Sequence, residues 1–354
     1  MRIIEMTGTT SGGVRSHLID VLGLLTSHHQ VALLAPSSVL ESLSPAEMSG
    51  ARAVPVEIAA KPTSRDVRSI AAVRTWARNA DVIHAHTLRA GALAVLACVA
   101  LSDPPRIVVT LHNMPVGSAA VRATGEALFR VVAAGADRVL GVSPDLVDKA
   151  HELGTIADLA IVPARPTPLV VTGPQTRDAA TLLTVGRLSH QKGLDILLDA
   201  AEIVGQKVPN VRWLVAGDGP YFDELAAEIE ERQLPVELLG RRDDVAELLT
   251  RTTLAVQTSR WEGQPVAVQE ALHAGTALVA TDVGGTRVVV GEDYPLVAPN
   301  AEAIANDIIE LLREPDKLEQ RSELSRARAQ TLPGLAELAG QLTNELRLFP
   351  PVNR

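Results

Sequence analysis

Two basic side chains lie five residues apart where a predicted strand leads into a predicted helix. The segment Val185–Gly193 reads VGRLSHQKG, which places Arg187 at the carboxyl end of the strand and Lys192 near the start of the helix. Two cations and a helix N-terminus can bind one anion together, because each contributes positive charge. The spacing favours a diphosphate; the alternative is a pair of solvated surface cations.

A pair of glutamates follows later in the chain, in the segment EGQPVAVQE. Glu262 lies in the loop after a predicted strand, and Glu270 lies in a helix that we expect to begin around Pro265. A carboxylate accepts hydrogen bonds and can hold two vicinal hydroxyls, so these residue types suit a ribose or a sugar. A solvated helix face is the alternative for Glu270, but the Ala, Leu and Ala that follow it indicate burial.

A small-residue loop with paired glycines, TTSGGV, separates the first strand from the first helix. Ser11, Gly12 and Gly13 lie there, and such glycines allow close approach of a ligand to the backbone at a helix N-terminus. A tight turn without a ligand is the alternative. The chain has neither Gly-x-Gly-x-x-Gly nor Gly-Lys-Ser/Thr, so it lacks the dinucleotide and P-loop fingerprints.

Three histidines fall on or just after strands of the first half. His84 and His86 alternate on one strand and therefore share a face, while His112 follows the next strand along the chain. A zinc site needs a third ligand, and no Cys or His falls at ligand spacing, so we expect no metal site. His86 and His112 end their strands, where either could orient a sugar or accept a proton.

Short aliphatic runs alternate with longer helix-period stretches along the whole chain, a pattern typical of parallel sheets with helices on both faces. The fold class is therefore α/β. Strands are expected at Arg2–Met6, Gln30–Leu34, Ala53–Ile58, Asp81–Ala85, Arg106–Leu111 and Arg138–Val142, and then at Thr181–Val185, Val211–Ala216, Val236–Leu239, Leu254–Gln257 and Ala277–Ala280. Helices are expected at Gly13–Ser27, Arg65–Asn79 and Ser118–Ala134, after each later strand, and in a tail from Ala301 to Leu348.

Length and composition predict two aliphatic domains. The chain has 354 residues, of which 46% are hydrophobic, 21% charged and 2% aromatic. We expect an N-terminal domain over 1–165, a Pro-rich linker over 166–180, a C-terminal domain over 181–335, and a final helix over 336–354 that packs back on the N-terminal domain. The net charge of −9 and the scarcity of aromatic residues argue against nucleic acid as a partner.

Three features of the sequence predict the cellular compartment of the protein. The single cysteine, Cys98, forms no intramolecular disulfide, the start of the chain lacks a signal-peptide pattern, and no apolar run reaches the roughly 20 residues of a membrane span. We therefore expect a cytoplasmic protein. The predicted helix from Arg65 to Arg78, with Trp76, could touch anionic lipid at the inner face of a membrane, but a solvated face is the favoured interpretation.

Taken together, these motifs resemble family 4 glycosyltransferases, which have the GT-B fold of two Rossmann-like, doubly wound domains facing across a cleft. The resemblance covers most of the chain, in family order. Its segments are SGGVRSH, DVIHAH, VVTLHN, ADRVLGVSP, LLTVGRLSHQKGLDILLDA, WLVAGDGP, LLGRRDDV and SRWEGQPVAVQEALHAGTALVATDVGG. One departure is Pro163-Ala164-Arg165-Pro166, where the family often reads Pro-Asn-Gly-Val-Asp.

The resemblance implies a role for individual residues. Arg187 and Lys192 would grip the donor diphosphate, Glu270 would hold the ribose hydroxyls, Glu262 would hold the donor sugar, and His112 would lie beside the transferred sugar. Further donor contacts would come from Gly12, Gly13, Gly240, Arg241, Gly263, Gln264, Pro265 and Val266. His86 and Ser11 are candidates for the acceptor, and we expect the catalytic set to be His112, Arg187, Lys192 and Glu262.

The implied activity is retaining transfer of a sugar from a UDP- or GDP-linked donor to an acceptor hydroxyl of a glycan, glycolipid or small molecule, such as a cell envelope glycan. The family works without a bound metal or other cofactor, in keeping with the missing Asp-x-Asp motif. Two alternatives remain open. One is a nucleotide-sugar epimerase of the same fold, which needs no acceptor, and the other is a catalytically silent nucleotide-sugar-binding protein.

Overall fold

The computed structural model describes residues 1–8, 12–59, 62–115, 118–164 and 180–348. The chain divides into two compact units. Unit 1 comprises Met1–Val162 and Leu335–Arg354, and unit 2 comprises Pro163–Gly334. Of the predicted linker over 166–180, all but Ala180 lies outside the described residues.

Unit 1 is a parallel sheet with helices between its strands. Its strands are β1 (Arg2–Thr7), β2 (Gln30–Ala35), β3 (Arg52–Pro55), β4 (Val82–His86), β5 (Arg106–Leu111), β6 (Arg138–Gly141) and β7 (Ala157–Leu159). Its first helices are α1 (Gly13–Thr26), α2 (Ser37–Ser42), α3 (Pro45–Met48), α4 (Asp66–Ala77), α5 (Leu88–Cys98), α6 (Ala119–Gly135) and α7 (Pro144–Glu152). The strand order is β3-β2-β1-β4-β5-β6-β7. The order reverses between β1 and β4, which is where ligands bind in such sheets, beyond the carboxyl ends of the strands.

The central strands of unit 1 match their sequence predictions to within a residue or two at either end because they are buried on both faces. All five residues of β4 are buried, as are five of the six in β1 and in β5. The edge strands behave differently. The strand predicted over Ala53–Ile58 is Arg52–Pro55, with three of its four residues exposed. Strand β7 has two exposed residues of three and was not predicted.

Unit 2 repeats the architecture with a smaller sheet. Its strands are β8 (Thr181–Val185), β9 (Arg212–Ala216), β10 (Val236–Gly240), β11 (Leu254–Gln257) and β12 (Ala277–Ala280), all parallel, in the order β10-β9-β8-β11-β12. Its helices are α8 (Leu194–Lys207), α9 (Phe222–Arg232), α10 (Val245–Arg251), α11 (Val266–His273), α12 (Thr286–Val290), α13 (Ala301–Arg313) and α14 (Pro315–Ala329). The strand order reverses between β8 and β11, so their carboxyl ends mark the expected binding edge.

The last helix, α15 (Leu335–Glu345), returns to unit 1. The backbone oxygen of Glu345 accepts a hydrogen bond from Arg106 Nε at 2.8 Å, and its carboxylate pairs with Arg138 at 2.8 Å. The side chain of Gln341 bonds the backbone of Leu159 and Ile161. These contacts fasten the helix to the β5–β7 side of the sheet.

Two side chains of helix α4, the predicted helix with the cluster of arginines, make contacts within unit 1. Arg74 Nε donates to the backbone oxygen of Ala97 at 2.8 Å, and the Trp76 ring lies 4.9 Å from the guanidinium of Arg52. Throughout the described ranges, no helix combines the length and the apolar character needed to span a membrane.

Candidate functional site

The loops after β8 and β11 bring a cation and a carboxylate together. Lys192 ends a short 3₁₀ turn at His190–Lys192, and its Nζ lies 2.5 Å from Glu262 Oε1. The same oxygen accepts a hydrogen bond from Ser259 Oγ at 2.5 Å. Glu262 is buried, with a side chain only 6% exposed, whereas Lys192 is 23% exposed. The pair therefore presents its cation, not its anion, to solvent.

Close backbone approaches fix this pair in place. Gly193 has φ +62°, and a Cβ there would lie 2.2 Å from the carbonyl oxygen of Thr258, so only glycine fits between Lys192 and α8. Thr258 Oγ1 in turn donates to the carbonyl of Lys192 at 2.8 Å. At Gly284, which has φ +51°, a Cβ would likewise clash with the backbone carbonyl of Glu262.

Arg187 lies on the exposed rim of the same loop cluster. It follows Gly186, at the end of β8, and a cavity of about 30 Å³ is lined by Arg187, Lys192, Glu262 and Pro265 among others. The three charged residues, separated by up to 75 positions in sequence, thus share one edge of the sheet. We call Arg187, Lys192 and Glu262 the anion site.

Glu270 lies on α11, one helical turn past the N-terminal end. It is partly buried, and burial raises the pKa of its carboxyl above the usual value. Within the part of the chain that the structure describes, no hydrogen bond or ion pair to its side chain is present, so nothing offsets the desolvation. A carboxylate in that condition gains from accepting hydroxyl donors.

The other predicted donor residues of unit 2 lie on two loops. Gly263, Gln264, Pro265 and Val266 run from the anion site into α11, which begins at Val266, one residue later than expected because Pro265 has an extended ψ of 112°. Gly240, with φ +64°, ends β10, and Arg241 beyond it is exposed. At α11, as at other helix starts, the first amides point out of the helix end, where an anion can accept hydrogen bonds from them.

Unit 1 contains a buried histidine cluster, which we define as His17, His84, His86 and His112 with Glu5. Glu5 Oε2 lies 2.8 Å from His86 Nε2 and 3.1 Å from His84 Nδ1. His86 Nδ1 lies 3.4 Å from His112 Nε2. The ring of His17 lies edge-on to both, with its centroid 5.6 Å from that of His86 and 5.2 Å from that of His112. Burial lowers the pKa values of His17, His86 and His112 well below 6.5, so these rings are neutral at pH 7.

Spacing along the chain indicated no third ligand beside His86 and His112, but the fold places His17 next to them; the absence of a bound metal stays a prediction. His17, from α1, brings a ring nitrogen within 4.8 Å of nitrogens of the other two. Three imidazoles are a ligand set that Zn²⁺ accepts, although zinc–nitrogen bonds of about 2.0–2.1 Å would need the rings to draw closer. Sequence spacing hid this arrangement because His17 lies on a different element, 69 residues before His86.

A larger cavity of about 510 Å³ lies beside the cluster in unit 1. It is lined at the ends of β1, β4 and β5 by Gly8, Thr87 and Asn113, and on its sides by Ile58, Arg89 and Pro115. Thr87 and Asn113 directly follow His86 and His112. Thr87 has φ +89°, an unusual conformation for a β-branched residue and one often found at binding sites.

Gly12 and Gly13 start α1 at the same edge of unit 1. Gly12 has φ +54°, and a Cβ at this position would meet open space. Ser11, the other candidate from this loop, lies outside the described residues.

Two family models together account for most of the chain. The model for glycosyl transferases group 1 matches residues 174–329, and that for the glycosyl transferase 4-like domain matches residues 12–165. The chain belongs to glycosyltransferase family 4. This confirms the resemblance that the sequence motifs showed. The general activity of the protein is therefore glycosyl transfer.

Several curated relatives carry one name. The phosphatidyl-myo-inositol mannosyltransferase of Mycobacterium tuberculosis is 28% identical over 344 residues, covering 88% of this chain and 86% of the relative. The protein of the same name from Mycobacterium leprae is 28% identical, covering 90% and 88%.

Solved structures confirm the GT-B fold. Anabaena HepE, crystallised with UDP-glucose, has a TM-score of 0.79 at 21% identity, covering 99% of this chain and all of that one. Sucrose-phosphate synthase from Thermosynechococcus elongatus has a TM-score of 0.78 at 18% identity, covering 98% and 99%. At these identities the similarity concerns the fold.

Three residues of this glycosyltransferase escaped the sequence predictions. Glu5 is a charged residue inside the aliphatic strand RIIEMT, and this mismatch is a signal that could have been read. His17 faces the core from an otherwise ordinary amphipathic helix. Ser259, which bonds Glu262, lies in a polar loop where many serines would look alike.

Proposed function

We propose that the protein is a retaining glycosyltransferase that moves a sugar from a nucleoside diphosphate sugar to an acceptor hydroxyl without using a bound metal ion. The observation that carries the proposal is the anion site, in which Lys192 Nζ is held at 2.5 Å from the buried Glu262. Arg187 lines the same cavity, so two cations share the space in which we propose that the diphosphate binds.

Glu262 has a second oxygen available for the donor sugar. Its Oε1 takes the bonds from both Lys192 and Ser259. Among the described residues, nothing bonds its Oε2, which can therefore accept a sugar hydroxyl. Glu270, without a partner of its own, is suited in the same way to the ribose hydroxyls. Each carboxylate thus has a different part of the donor to hold.

The chemistry assigned to these residues is charge stabilisation and positioning. The bond between the anomeric carbon and the diphosphate oxygen breaks, and negative charge develops on the leaving diphosphate beside Arg187 and Lys192. The acceptor oxygen attacks the same face of the sugar, and its proton passes to an oxygen of the leaving phosphate. The configuration at the anomeric carbon is thereby retained, and no protein nucleophile takes part.

We propose that the acceptor binds in unit 1. The cavity of about 510 Å³ is of a size typical for small-molecule sites, and His112 directly precedes Asn113 in its lining. Most of the lining is apolar or small, with Thr87, Arg89 and Asn113 among its polar residues. We propose an acceptor with a hydroxyl group on a polyol, glycan or glycolipid, a class that includes the acceptors for which the mycobacterial relatives are named.

Thermal unfolding with UDP, GDP and ADP, each with and without EDTA, tests the donor proposal. Ligand at about 100 times its dissociation constant adds roughly 2.7 kcal/mol of stability, which is readily measured. We expect one nucleotide to raise the melting temperature equally in EDTA, Lys192→Ala to lose that rise and Glu270→Gln to reduce it to about half. Lys207→Ala, an exposed lysine at the far end of α8, is the matched control. A rise that requires added metal would contradict the proposal.

A further inference from the structure

A continuous chain of hydrogen bonds crosses three neighbouring strands of unit 1. Thr110 Oγ1 on β5 lies 2.8 Å from His84 Nε2 on β4, and His84 Nδ1 lies 3.1 Å from Glu5 Oε2 on β1. The same carboxylate lies 2.8 Å from His86 Nε2. All of these side chains are fully buried, so bulk solvent does not reach them.

The carboxylate of Glu5 determines which ring nitrogens carry hydrogen. A carboxylate only accepts hydrogen bonds, so both nitrogens that face it must be donors. His86 is therefore protonated at Nε2 and His84 at Nδ1, which makes them opposite tautomers. Nε2 of His84 faces the Thr110 hydroxyl, so both nitrogens of this ring have a hydrogen-bond partner.

The position of the ring hydrogen on His86 in turn determines its position on His112. Burial lowers the pKa values of both rings, so each carries one ring hydrogen at pH 7. The Nδ1 of His86 is therefore bare, and it accepts from His112 Nε2 at 3.4 Å. His112 must then present a bare Nδ1, which no described residue engages.

We propose that Glu5 is a positioning residue that fixes His112, through His86, as the tautomer with hydrogen on Nε2 and a lone pair on Nδ1. His112 then accepts a hydrogen bond from a substrate hydroxyl and does not donate one. This inference deepens the proposed function, because it relies on His112 contacting substrate. The tautomer itself does not depend on activity.

Long-range ¹H–¹⁵N NMR of the histidine rings tests the tautomer directly. In the full-length protein at pH 7, we expect hydrogen on Nε2 of His86 and His112 and on Nδ1 of His84. Glu5→Gln should invert at least one of these rings, because an amide nitrogen donates where the carboxylate accepted. Hydrogen on Nδ1 of His112 in the unmodified protein would overturn the proposal. A stoichiometric metal that His17→Gln removes would also overturn it.

Thr110→Val provides a second variant that preserves side-chain volume. It removes the donor to His84 Nε2 and leaves Glu5 in place, so the tautomers of His86 and His112 should be unchanged. If Thr110→Val alters His112 as much as Glu5→Gln does, Glu5 is not the residue that sets the ring.

Kinetics then connect the tautomer to turnover. With the donor that the unfolding experiment identifies, Glu5→Gln should lower kcat about ten- to a hundredfold, as expected for a lost charge-assisted bond, and leave the donor KM within about twofold. Asp137→Asn is the control, because Asp137 bonds the backbone of Ile107 at the opposite end of β5. It should lower stability without lowering kcat. Equal losses of kcat in the two variants would indicate a merely structural role.

Discussion

The anion site in unit 2 and the histidine cluster in unit 1 differ in how they handle charge. In the anion site, the partly exposed Lys192 pairs with the buried Glu262, and glycines at close backbone contacts fix the loops that hold this pair. In the histidine cluster, four buried imidazole rings lie beside or near the buried carboxyl group of Glu5. The first arrangement suits binding of an anion, whereas the second suits control of where ring hydrogens point. We therefore propose that binding and orientation are separate tasks of the two units.

The largest effect is expected from removing the cation of the anion site. Lys192→Ala should lower kcat/KM about a hundredfold, because it removes a charge-assisted bond to the leaving diphosphate and leaves Glu262 buried without its cation. Steady-state kinetics with saturating acceptor measure this loss. A decrease of less than about threefold, with Lys207→Ala behaving as unmodified protein, would remove Lys192 from the mechanism.

A smaller effect is expected from Glu270→Gln, which should make the protein more stable but weaken its binding of nucleotide. Because burial raises its pKa, the unfolded chain ionises this carboxyl more readily than the folded protein does. Its unfavourable contribution therefore appears as pH rises through the unfolded value toward the folded one, and it persists at pH 7. Glu270→Gln should raise the melting temperature by about 1–2 °C and weaken nucleotide binding about tenfold. Calorimetry measures both, and a variant that is less stable yet binds normally would contradict this account.

The pH dependence of unfolding should separate the two units. The pKa values of three fully buried histidines of unit 1 are lowered, so the unfolded chain binds more protons below about pH 6.5 and stability is lost as pH falls. In unit 2 the pKa of the partly buried His273 is lowered in the same sense. Scanning calorimetry from pH 7.5 to 5.5 should therefore shift the unit 1 transition downward more than the unit 2 transition. His17→Asn should reduce the difference, and a larger shift for unit 2 would contradict it.

The smallest effect is expected at the rim of the donor site. Arg241 is exposed beyond Gly240, where the base of the nucleotide is expected. Arg241→Ala should change nucleotide affinity by about threefold or less, since exposed charges contribute little. A loss comparable with that of Lys192→Ala, measured by the same titration, would show that the base contact was underestimated.

The parts that sequence predicts best are the buried ones. Strands such as Arg106–Leu111 and Thr181–Val185 were predicted at their exact ends because continuous burial leaves an aliphatic run with polar flanks. The edge strand Arg52–Pro55 was misplaced because its residues are mostly exposed and carry no such pattern. Edge strands therefore depend on their neighbours in the sheet more than on their own sequence.

The candidate site was predicted as a set of residues and not as a set of contacts. Arg187, Lys192, Glu262 and Glu270 were chosen from their types and positions, and their roles stay predictions. The bond between Lys192 and Glu262 joins residues 70 positions apart and depends on the parallel pairing of β8 with β11. Glu5 and His17 were missed because they become neighbours of the other histidines only when β1, α1 and β4 pack together.

One titration tests the central claim most directly. Isothermal titration in EDTA should compare the nucleoside diphosphate with its monophosphate, for the unmodified protein, Lys192→Met and Lys207→Met. The account predicts that the diphosphate binds at least about tenfold more tightly than the monophosphate, and that only Lys192→Met abolishes this advantage. Equal affinities in the unmodified protein, or an advantage that Lys192→Met retains, would contradict the assignment of the anion site to the donor diphosphate.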